Sequence, residues 1–300
     1  MVEEKRFAVL IDADNVSAKY IKYILDEISN YGVATYKRIY GDWTKPNTAS
    51  WKDVLLENSV TPIQQYGYTV GKNATDSAMI IDAMDILYSG HVNGFCIVSS
   101  DSDFTKLSSR LRESGMLVVG MGEKKTPKPF IASCNQFKYL DVLLASENNM
   151  ATDSNSPLVK GNENKTENEP EDKSTKSVKS TNSPDKIDNS KAMTDLNTIK
   201  MAIIKMVNEN DDEEQSMNIG ELGSRLVKRY PDFDVRNYGD TKLSKFLKKF
   251  DFLEMHTKGD EGTSLWVSLS NNPTEQDKVV TTITQKPKKR TYRKKPKVEK

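Results

Sequence analysis

The chain has 300 residues, and its charges nearly balance, with 44 Lys and Arg against 43 Asp and Glu. Hydrophobic residues make up 36% of it and charged residues 29%, a composition that predicts segments without a packed core. Two Cys and two His argue against a disulfide framework and against a zinc site. No apolar run approaches the roughly 20 residues that span a bilayer, and none at the N-terminus is long enough for a secretion signal. We therefore expect a soluble, cytoplasmic protein that does not bind membranes.

Charge is unevenly distributed along the chain. The last 15 residues, Lys286–Lys300, hold nine Lys and Arg and one Glu, which gives them a charge of +8. Because the whole chain carries +1, the other 285 residues sum to −7. A basic tail on an acidic body favours contact with the phosphates of RNA, although a nuclear localisation signal has the same composition.

Composition divides the chain into four segments. Residues 1–145 alternate short β-branched or aromatic runs with helical patterns, and residues 195–270 regain large apolar residues in helical spacing. Residues 146–194 contain no Phe, Tyr or Trp, so they bury too little apolar surface to offset the entropic cost of ordering. We therefore expect two folded domains joined by a disordered linker, followed by a disordered basic tail over residues 271–300.

Strand and helix patterns alternate along the first domain. The strand candidates are Arg6–Ile11, Val33–Tyr40, Val60–Gln65, Phe95–Ser99 and Leu117–Met121. The helix candidates are Ser17–Asn30, Thr48–Asn58, Thr75–Ser89 and Phe104–Ser114. This alternation predicts right-handed βαβ units around a parallel sheet, that is, a Rossmann-like α/β fold. In a doubly wound order of strands, the first and fourth strands are neighbours at the point where ligands bind.

Acidic residues lie at the ends of several of these elements. Asp12 follows the first strand, Asp101 and Asp103 follow the fourth, and Asp76 opens the third helix. Parallel strands bring their carboxyl ends to one edge of the sheet, and the following helices begin there, so we expect these four carboxylates to converge. A single Asp after a strand is more often a helix N-cap than a metal ligand, and Asp14 and Asp103 are candidates for that role, but four at one edge favour a site.

Several carboxylates in one cleft repel one another and do not all ionise without a cation. Oxygen ligands without His or Cys are typical of a hard ion, Mg²⁺ or Mn²⁺. Such an ion suits the hydrolysis of a phosphodiester bond, because it polarises the phosphate and lowers the pKa of the attacking water. We expect Asn15 to support this site and Lys72 to contact a substrate phosphate. Asp82, further along the helix of Asp76, is a second supporting candidate, although its spacing directs it away from Asp76.

Three motifs in the first domain resemble the NYN domain, which belongs to the PIN-like metal-dependent ribonucleases. They are IDADN after the first strand, the Lys72, Asp76 and Asp82 spacing at the start of a helix, and SSDSDF before another helix. The resemblance covers residues 5–142 and implies a Mg²⁺- or Mn²⁺-dependent endoribonuclease. Carried over by position, its acidic site falls on Asp12, Asp76, Asp101 and Asp103, with Asn15 beside them.

The second domain has a winged-helix pattern. Helices are predicted at 196–208, Ile219–Lys228 and Lys242–Phe250, and a hairpin at Leu253–Thr257 and Ser264–Ser268. The run from Ile219 to Met255 resembles the OST-HTH/LOTUS domain in its Leu-Gly, Pro-x-Phe, Tyr-Gly and Lys-Leu pairs. Asp240 replaces the aromatic residue that often follows the Tyr-Gly pair.

That resemblance implies RNA binding or docking to another protein. Lys242, Lys245 and Lys249 lie around one predicted helix and are candidates for phosphate contacts, although a solvated helix face has the same pattern. Tyr238 and Trp266 are suited to stacking on bases or, more commonly, to packing in a core.

Three functions are consistent with these patterns. The first is a metal-dependent endoribonuclease whose second domain and tail hold RNA. The second is a non-catalytic RNA-binding adaptor. The third is an aspartyl-nucleophile phosphatase, in which Asp12 attacks phosphorus and Asp14 acts as the general acid.

Overall fold

The computed structural model of the chain describes residues 4–66, 74–153, 193–210, 216–258 and 264–270. Backbone contacts divide the chain into two compact units, with the boundary between Met193 and Thr194. The first unit is an α/β domain and the second is a small domain of helices and an antiparallel sheet, as expected from the sequence.

The first unit is built around a six-stranded parallel sheet in the order β3-β2-β1-β4-β5-β6. The strands are β1 (Arg6–Asp12), β2 (Val33–Gly41), β3 (Thr61–Gln64), β4 (Gly94–Val98), β5 (Leu117–Gly122) and β6 (Gln136–Tyr139). The order reverses between β1 and β4, which are neighbours as the doubly wound prediction requires.

Six α-helices accompany the sheet in the part of the first unit that the structure describes. They are α1 (Ile21–Ser29), α2 (Lys52–Glu57), α3 (Ala74–Ser89), α4 (Thr105–Glu113), α5 (Lys128–Ser133) and α6 (Leu140–Asp153). Two apolar cores lie on the two sides of the sheet, because successive strand residues point to opposite faces. Helices α1, α2 and α6 pack mainly on one face, and α3, α4 and α5 on the other.

Three predicted helices begin with a 3₁₀ turn, and three elements were not predicted. The 3₁₀ turns are Ala18–Tyr20, Pro46–Trp51 and Ser102–Phe104, each directly before an α-helix. The unpredicted elements are α5, β6 and α6, which lack long periodic patterns. The linker prediction was wrong at its start, because α6 continues to Asp153. Its buried first turn, with Leu140, Val142 and Leu143, nucleates a helix that then propagates into polar sequence.

In its described residues, the second unit has three α-helices and a three-stranded sheet around one apolar core. The helices are α7 (Leu196–Asn208), α8 (Ile219–Arg229) and α9 (Leu243–Leu247). The strands β7 (Ser216–Asn218), β8 (Leu253–Lys258) and β9 (Ser264–Leu269) form an antiparallel sheet in the order β7-β9-β8. The predicted hairpin and helices are present, and the short strand β7 adds to the wing.

None of the helices in the described part of the chain combines the length and apolar character that a membrane crossing needs. The basic tail over residues 271–300 and most of the predicted linker lie outside the described residues.

Candidate metal site

The carboxyl ends of β1 and β4 bring two acidic segments together. Ile11 and Val98 are paired in the sheet, so the residues that follow them, Asp12 and Ser99, leave neighbouring strands at the same level. The chain after β4 then turns into the 3₁₀ helix Ser102–Phe104. This is the switch point of the strand order, where ligands of open α/β sheets bind.

Asp12 is fully buried and hydrogen-bonded on both oxygens. Its Oδ2 accepts from Asn15 Nδ2 at 2.7 Å and from Ser99 Oγ at 2.8 Å, and its Oδ1 accepts from the backbone N–H of Asp14 at 3.0 Å. Burial raises the pKa of Asp12, and these three hydrogen bonds oppose that rise. Asn15 therefore supports Asp12 directly.

Three further carboxylates form a compact group at the same edge. Single oxygens of Asp76, Asp101 and Asp103 all lie within 4.8 Å of one another. Asp76 comes from the first turn of α3, whereas Asp101 and Asp103 come from the segment after β4. Asp12 does not belong to this group. Of the four predicted carboxylates, three therefore form the group and the fourth, Asp12, is buried near them.

The carboxylates interact through their charges. Burial raises the pKa of Asp76 to about 6, and the nearby charges of Asp12, Asp101 and Asp103 add to the rise. A carboxylate in this setting accepts either a proton or a cation more readily than an ordinary Asp. The arrangement thus has the donor set and the electrostatics of a site for a hard divalent ion.

Hydrogen bonds inside the β4–α4 segment fix its shape. The Asp101 side chain accepts from the backbone N–H of Asp103 at 2.9 Å, which makes Asp101 the N-cap of the 3₁₀ helix. Ser99 Oγ accepts from the backbone N–H of Asp101 at 3.0 Å while it donates to Asp12. Ser99 therefore joins the two acidic segments, a role that the sequence signals only by its place at the end of a buried strand.

The other predicted residues of the first domain lie elsewhere. Asp82 is in the middle of α3 and bonds to Arg38 and Tyr40 of β2, outside the group of three carboxylates. Lys72 lies outside the described residues. The contacts of Arg38 and Tyr40 with Asp82 could not be predicted from the sequence, because a contact between a strand and a later helix leaves no periodic signal.

In the second domain, the predicted lysines around α9 are exposed, but one of them is paired with a carboxylate. Lys242 and Lys245 are exposed at the first turns of α9. The Lys249 Nζ instead lies 2.6 Å from Oδ2 of the buried Asp240, the residue that departs from the family pattern. Tyr238 packs against Phe233 and Phe246 and donates to the Thr194 carbonyl, so it belongs to the core. Lys258 Nζ lies 4.8 Å from the centre of the Trp266 ring.

The comparisons with known proteins agree with this division. A family model for the NYN domain matches residues 6–141, and one for the OST-HTH/LOTUS domain matches residues 194–265. A comparison with curated proteins gave no match. Among solved structures, the chain is similar to the crystal structure of a protein of unknown function from Vibrio parahaemolyticus. That likeness has 17% identity and a TM-score of 0.40, and it covers 46% of this chain and 94% of the other. The chain thus carries an NYN domain of the PIN-like nuclease superfamily, followed by an OST-HTH/LOTUS domain.

Proposed function

We propose that this protein is a metal-dependent endoribonuclease, in which the NYN domain cleaves RNA and the OST-HTH/LOTUS domain holds it. One observation carries the proposal: the carboxylates of Asp76, Asp101 and Asp103 gather at the switch point of the sheet, beside the buried Asp12. The family relationship supports RNA as the substrate.

The residues present fit Mg²⁺ or Mn²⁺. Their donors are carboxylate oxygens, which hard divalent ions prefer, and the group of three includes no sulfur or imidazole ligand. The raised pKa of Asp76 has its natural counter-charge in such an ion. When bound, the ion supplies positive charge to the phosphate oxygens and lowers the pKa of the attacking water.

The side chains then have distinct tasks. Asp76, Asp101 and Asp103 hold the cation. Asp12 has both lone pairs of Oδ2 occupied by Asn15 and Ser99, so Oδ1, with one bond from the backbone of Asp14, is the atom that can join them. Asn15 and Ser99 orient Asp12 and keep its charge in place.

Two exposed lysines of the second domain are the contacts we propose for the RNA backbone. Lys242 and Lys245 are available at α9, whereas Lys249 is paired with Asp240. An RNA that engages both domains would have a raised effective concentration at the metal site. Docking of another protein on the second domain is a further role that its family suggests. The buried free thiols of Cys96 and Cys134 are consistent with the reducing cytoplasm that we propose as its location.

The test uses purified protein with labelled single-stranded and hairpin RNA, in Mn²⁺, Mg²⁺ or EDTA. We expect cleavage in the presence of either metal, none in EDTA, and none with Asp12→Asn or Asp101→Asn, while both variants still bind RNA. Asp53→Asn, at an exposed position in the first turn of α2, is the matched control and should cleave normally. Cleavage that survives both site substitutions would refute the proposal.

A non-catalytic RNA-binding adaptor is the second candidate. One observation favours it: Asp12 already has hydrogen-bond partners on both oxygens. The same test decides this point, because the adaptor binds RNA and gives no metal-dependent product. The phosphatase hypothesis fits less well, since Asp12 is fully buried and its Oδ2 already accepts two hydrogen bonds, from Asn15 and Ser99. Trapping of a phosphorylated protein would revive it.

A further inference from the structure

A polar cluster joins β2 to the helix that carries Asp76. Arg38 and Tyr40, two residues apart on one face of β2, both bond to the carboxylate of Asp82 in α3. The Arg38 guanidinium also lies 5.2 Å from the centre of the Tyr36 ring, on the same face of the strand. Arg38 bonds to one oxygen of Asp82 and Tyr40 bonds to the other, so the two contacts together fix the orientation of the Asp82 carboxylate.

Apolar packing alone defines the rotation of α3 weakly. Met79, Ala83 and Ile86 are buried against the sheet, but Ile81 is 63% exposed and Tyr88 is 72% exposed. Ile80, Met84 and Leu87 also pack partly against this core, so the apolar arc is broad and a small turn about the helix axis replaces one apolar contact with another. A directional polar contact can fix the register of such a helix, as a single buried polar residue does in coiled coils.

The rotation of α3 matters for the candidate metal site. Asp76 and Asp82 are six residues apart, so they are separated by about 9 Å along the helix axis. A carboxylate lies about 6 Å from that axis, and a turn of about 20° would move it by about 2 Å. A shift of that size is as long as a Mg²⁺–oxygen bond, and it would take Asp76 away from Asp101 and Asp103.

We propose that Arg38, Tyr40 and Asp82 are positioning residues that set the rotation of α3 and so hold Asp76 against Asp101 and Asp103. This inference rests on the proposed function to the extent that the three carboxylates bind a divalent cation. The bonds to Asp82 raise the pKa of Arg38, and burial together with Asp82 raises the pKa of Tyr40. Both groups therefore remain hydrogen-bond donors wherever the protein is folded.

The test separates position from stability by two kinds of substitution in the full chain. Asp82→Asn breaks the ion pair, and Tyr40→Phe removes one bond while it keeps the ring and the ion pair. The double variant R38M/D82L, made in Tyr40→Phe protein so that no buried hydroxyl loses its acceptor, replaces the pair with apolar groups of similar size, an exchange that is often neutral or stabilising. Mn²⁺ affinity is measured by electron paramagnetic resonance, without RNA, beside urea unfolding.

We expect Asp82→Asn to weaken Mn²⁺ binding by about tenfold, with a smaller loss for Tyr40→Phe. The double variant should recover stability, but its affinity for Mn²⁺ should stay low, since Met and Leu cannot form a directional contact. The matched control is Glu27→Gln, which disrupts the buried Glu27–Lys138 pair on the other face of the sheet and should leave Mn²⁺ affinity unchanged.

Two results would overturn the inference. One is a folded Asp82→Asn variant with wild-type Mn²⁺ affinity, and the other is a double variant whose affinity returns together with its stability. If the wild type binds Mn²⁺ but does not cleave RNA, the proposed function fails while these affinities still decide the positioning role. If the wild type binds no Mn²⁺, both fail.

Discussion

A single serine hydroxyl connects the two acidic segments of the candidate site. Ser99 is fully buried, donates to Asp12 Oδ2 and accepts from the backbone N–H of Asp101. Its loss would leave a buried carboxylate with one hydrogen bond fewer and a partly buried N–H without its acceptor. The carboxylate and the N–H are then desolvated without full hydrogen bonding, which lowers the free energy of unfolding.

We expect Ser99→Ala to destabilise the first domain by about 1–3 kcal/mol and to weaken Mn²⁺ binding. Urea unfolding and a metal titration measure the two effects. The matched control is Ser133→Ala, which removes a buried hydroxyl that donates to the Phe130 carbonyl in α5, away from the carboxylates. Equal effects of both substitutions on Mn²⁺ affinity would show that Ser99 has no specific role.

Asp76 should make the stability of the metal-free protein depend on pH. Its pKa is about 6 in the folded protein against an ordinary value of 3.8, so the folded state binds the proton more tightly. Stability therefore falls as pH rises from about 4 to about 6, because the proton bound to Asp76 is lost from the folded state.

Thermal melts in EDTA from about pH 4 to about pH 7 measure this dependence. As the pH rises across this window, we expect the melting temperature of the wild type to fall relative to that of Asp76→Asn. Added Mn²⁺ should stabilise the wild type most at the upper end, where Asp76 is ionised. Parallel pH profiles for the wild type and Asp76→Asn would contradict the assigned pKa.

The sequence predicts the carboxylates of the site better than it predicts their partners. Asp12, Asp76, Asp101 and Asp103 were placed at one edge because strand ends and helix starts share that edge. The bonds of Ser99 depend on the register of two strands, and those of Arg38 on the rotation of a helix, and neither is visible in residue order. The N-cap role also fell on Asp101, whereas Asp103 had been the candidate for it.

At the scale of elements, the end of β5 approaches the end of β4 closely at Gly122. A Cβ on Gly122 would lie 2.5 Å from the Ser99 carbonyl oxygen and 2.6 Å from Thr126 Oγ1. The carbonyl belongs to the segment that leads into Asp101, so this side chain can be accommodated only by a shift of that segment.

We expect Gly122→Ala to cost about 1–3 kcal/mol of stability, as overpacking does, and to reduce Mn²⁺ affinity. Gly90→Ala is the control, because Gly90 has a positive φ of 68° but open space around it. Its cost should be about 1–2 kcal/mol from the backbone alone, without an effect on metal binding. A Gly122→Ala variant with unchanged Mn²⁺ affinity would show that the strand ends are not tightly coupled.

In helix α3 the periodic pattern of apolar residues does not predict which face is buried. The sequence indicates a broad apolar stripe that includes Ile81, yet Ile81 is mostly exposed and Met79, Ala83 and Ile86 are the buried residues. When apolar residues lie all around a helix, hydrophobicity does not choose the inward face. The existence and bounds of α3 could thus be predicted, but its orientation depends on contacts with β2.

At the scale of the whole molecule, the proposed division of labour predicts separable effects. Lys242 and Lys245 belong to the second domain, and the carboxylate group belongs to the first. We expect K242A/K245A to weaken RNA binding and to leave Mn²⁺ affinity unchanged. If each lysine contacts one phosphate of a single strand, the salt dependence of binding should fall by about 0.7 per lysine.

Fluorescence anisotropy with labelled RNA over a series of salt concentrations measures this slope. The control K205A/K228A removes the same charge from exposed lysines of the same domain. An equal loss of slope in both double variants would indicate a diffuse electrostatic effect, with no particular role for α9.

The domain order and the fold of each domain were predictable because the compositional change and the helix and strand periods are strong signals. The exact extent of α6 was not, since a helix nucleated by Leu140 and Val142 continues through residues that favour no structure by themselves. The doubly wound rule makes the first and fourth strands neighbours, and β1 and β4 are neighbours in the sheet.

The two outermost strands of the large sheet also bear on how the protein behaves at high concentration. Both β3 and β6 have only four residues. Pro62 removes a backbone donor from β3, and Lys138 places an inward-facing charge on β6, paired with Glu27. Short edges with these features are poor templates for the addition of further strands. We therefore expect little tendency for copies of the chain to join edge to edge through this sheet.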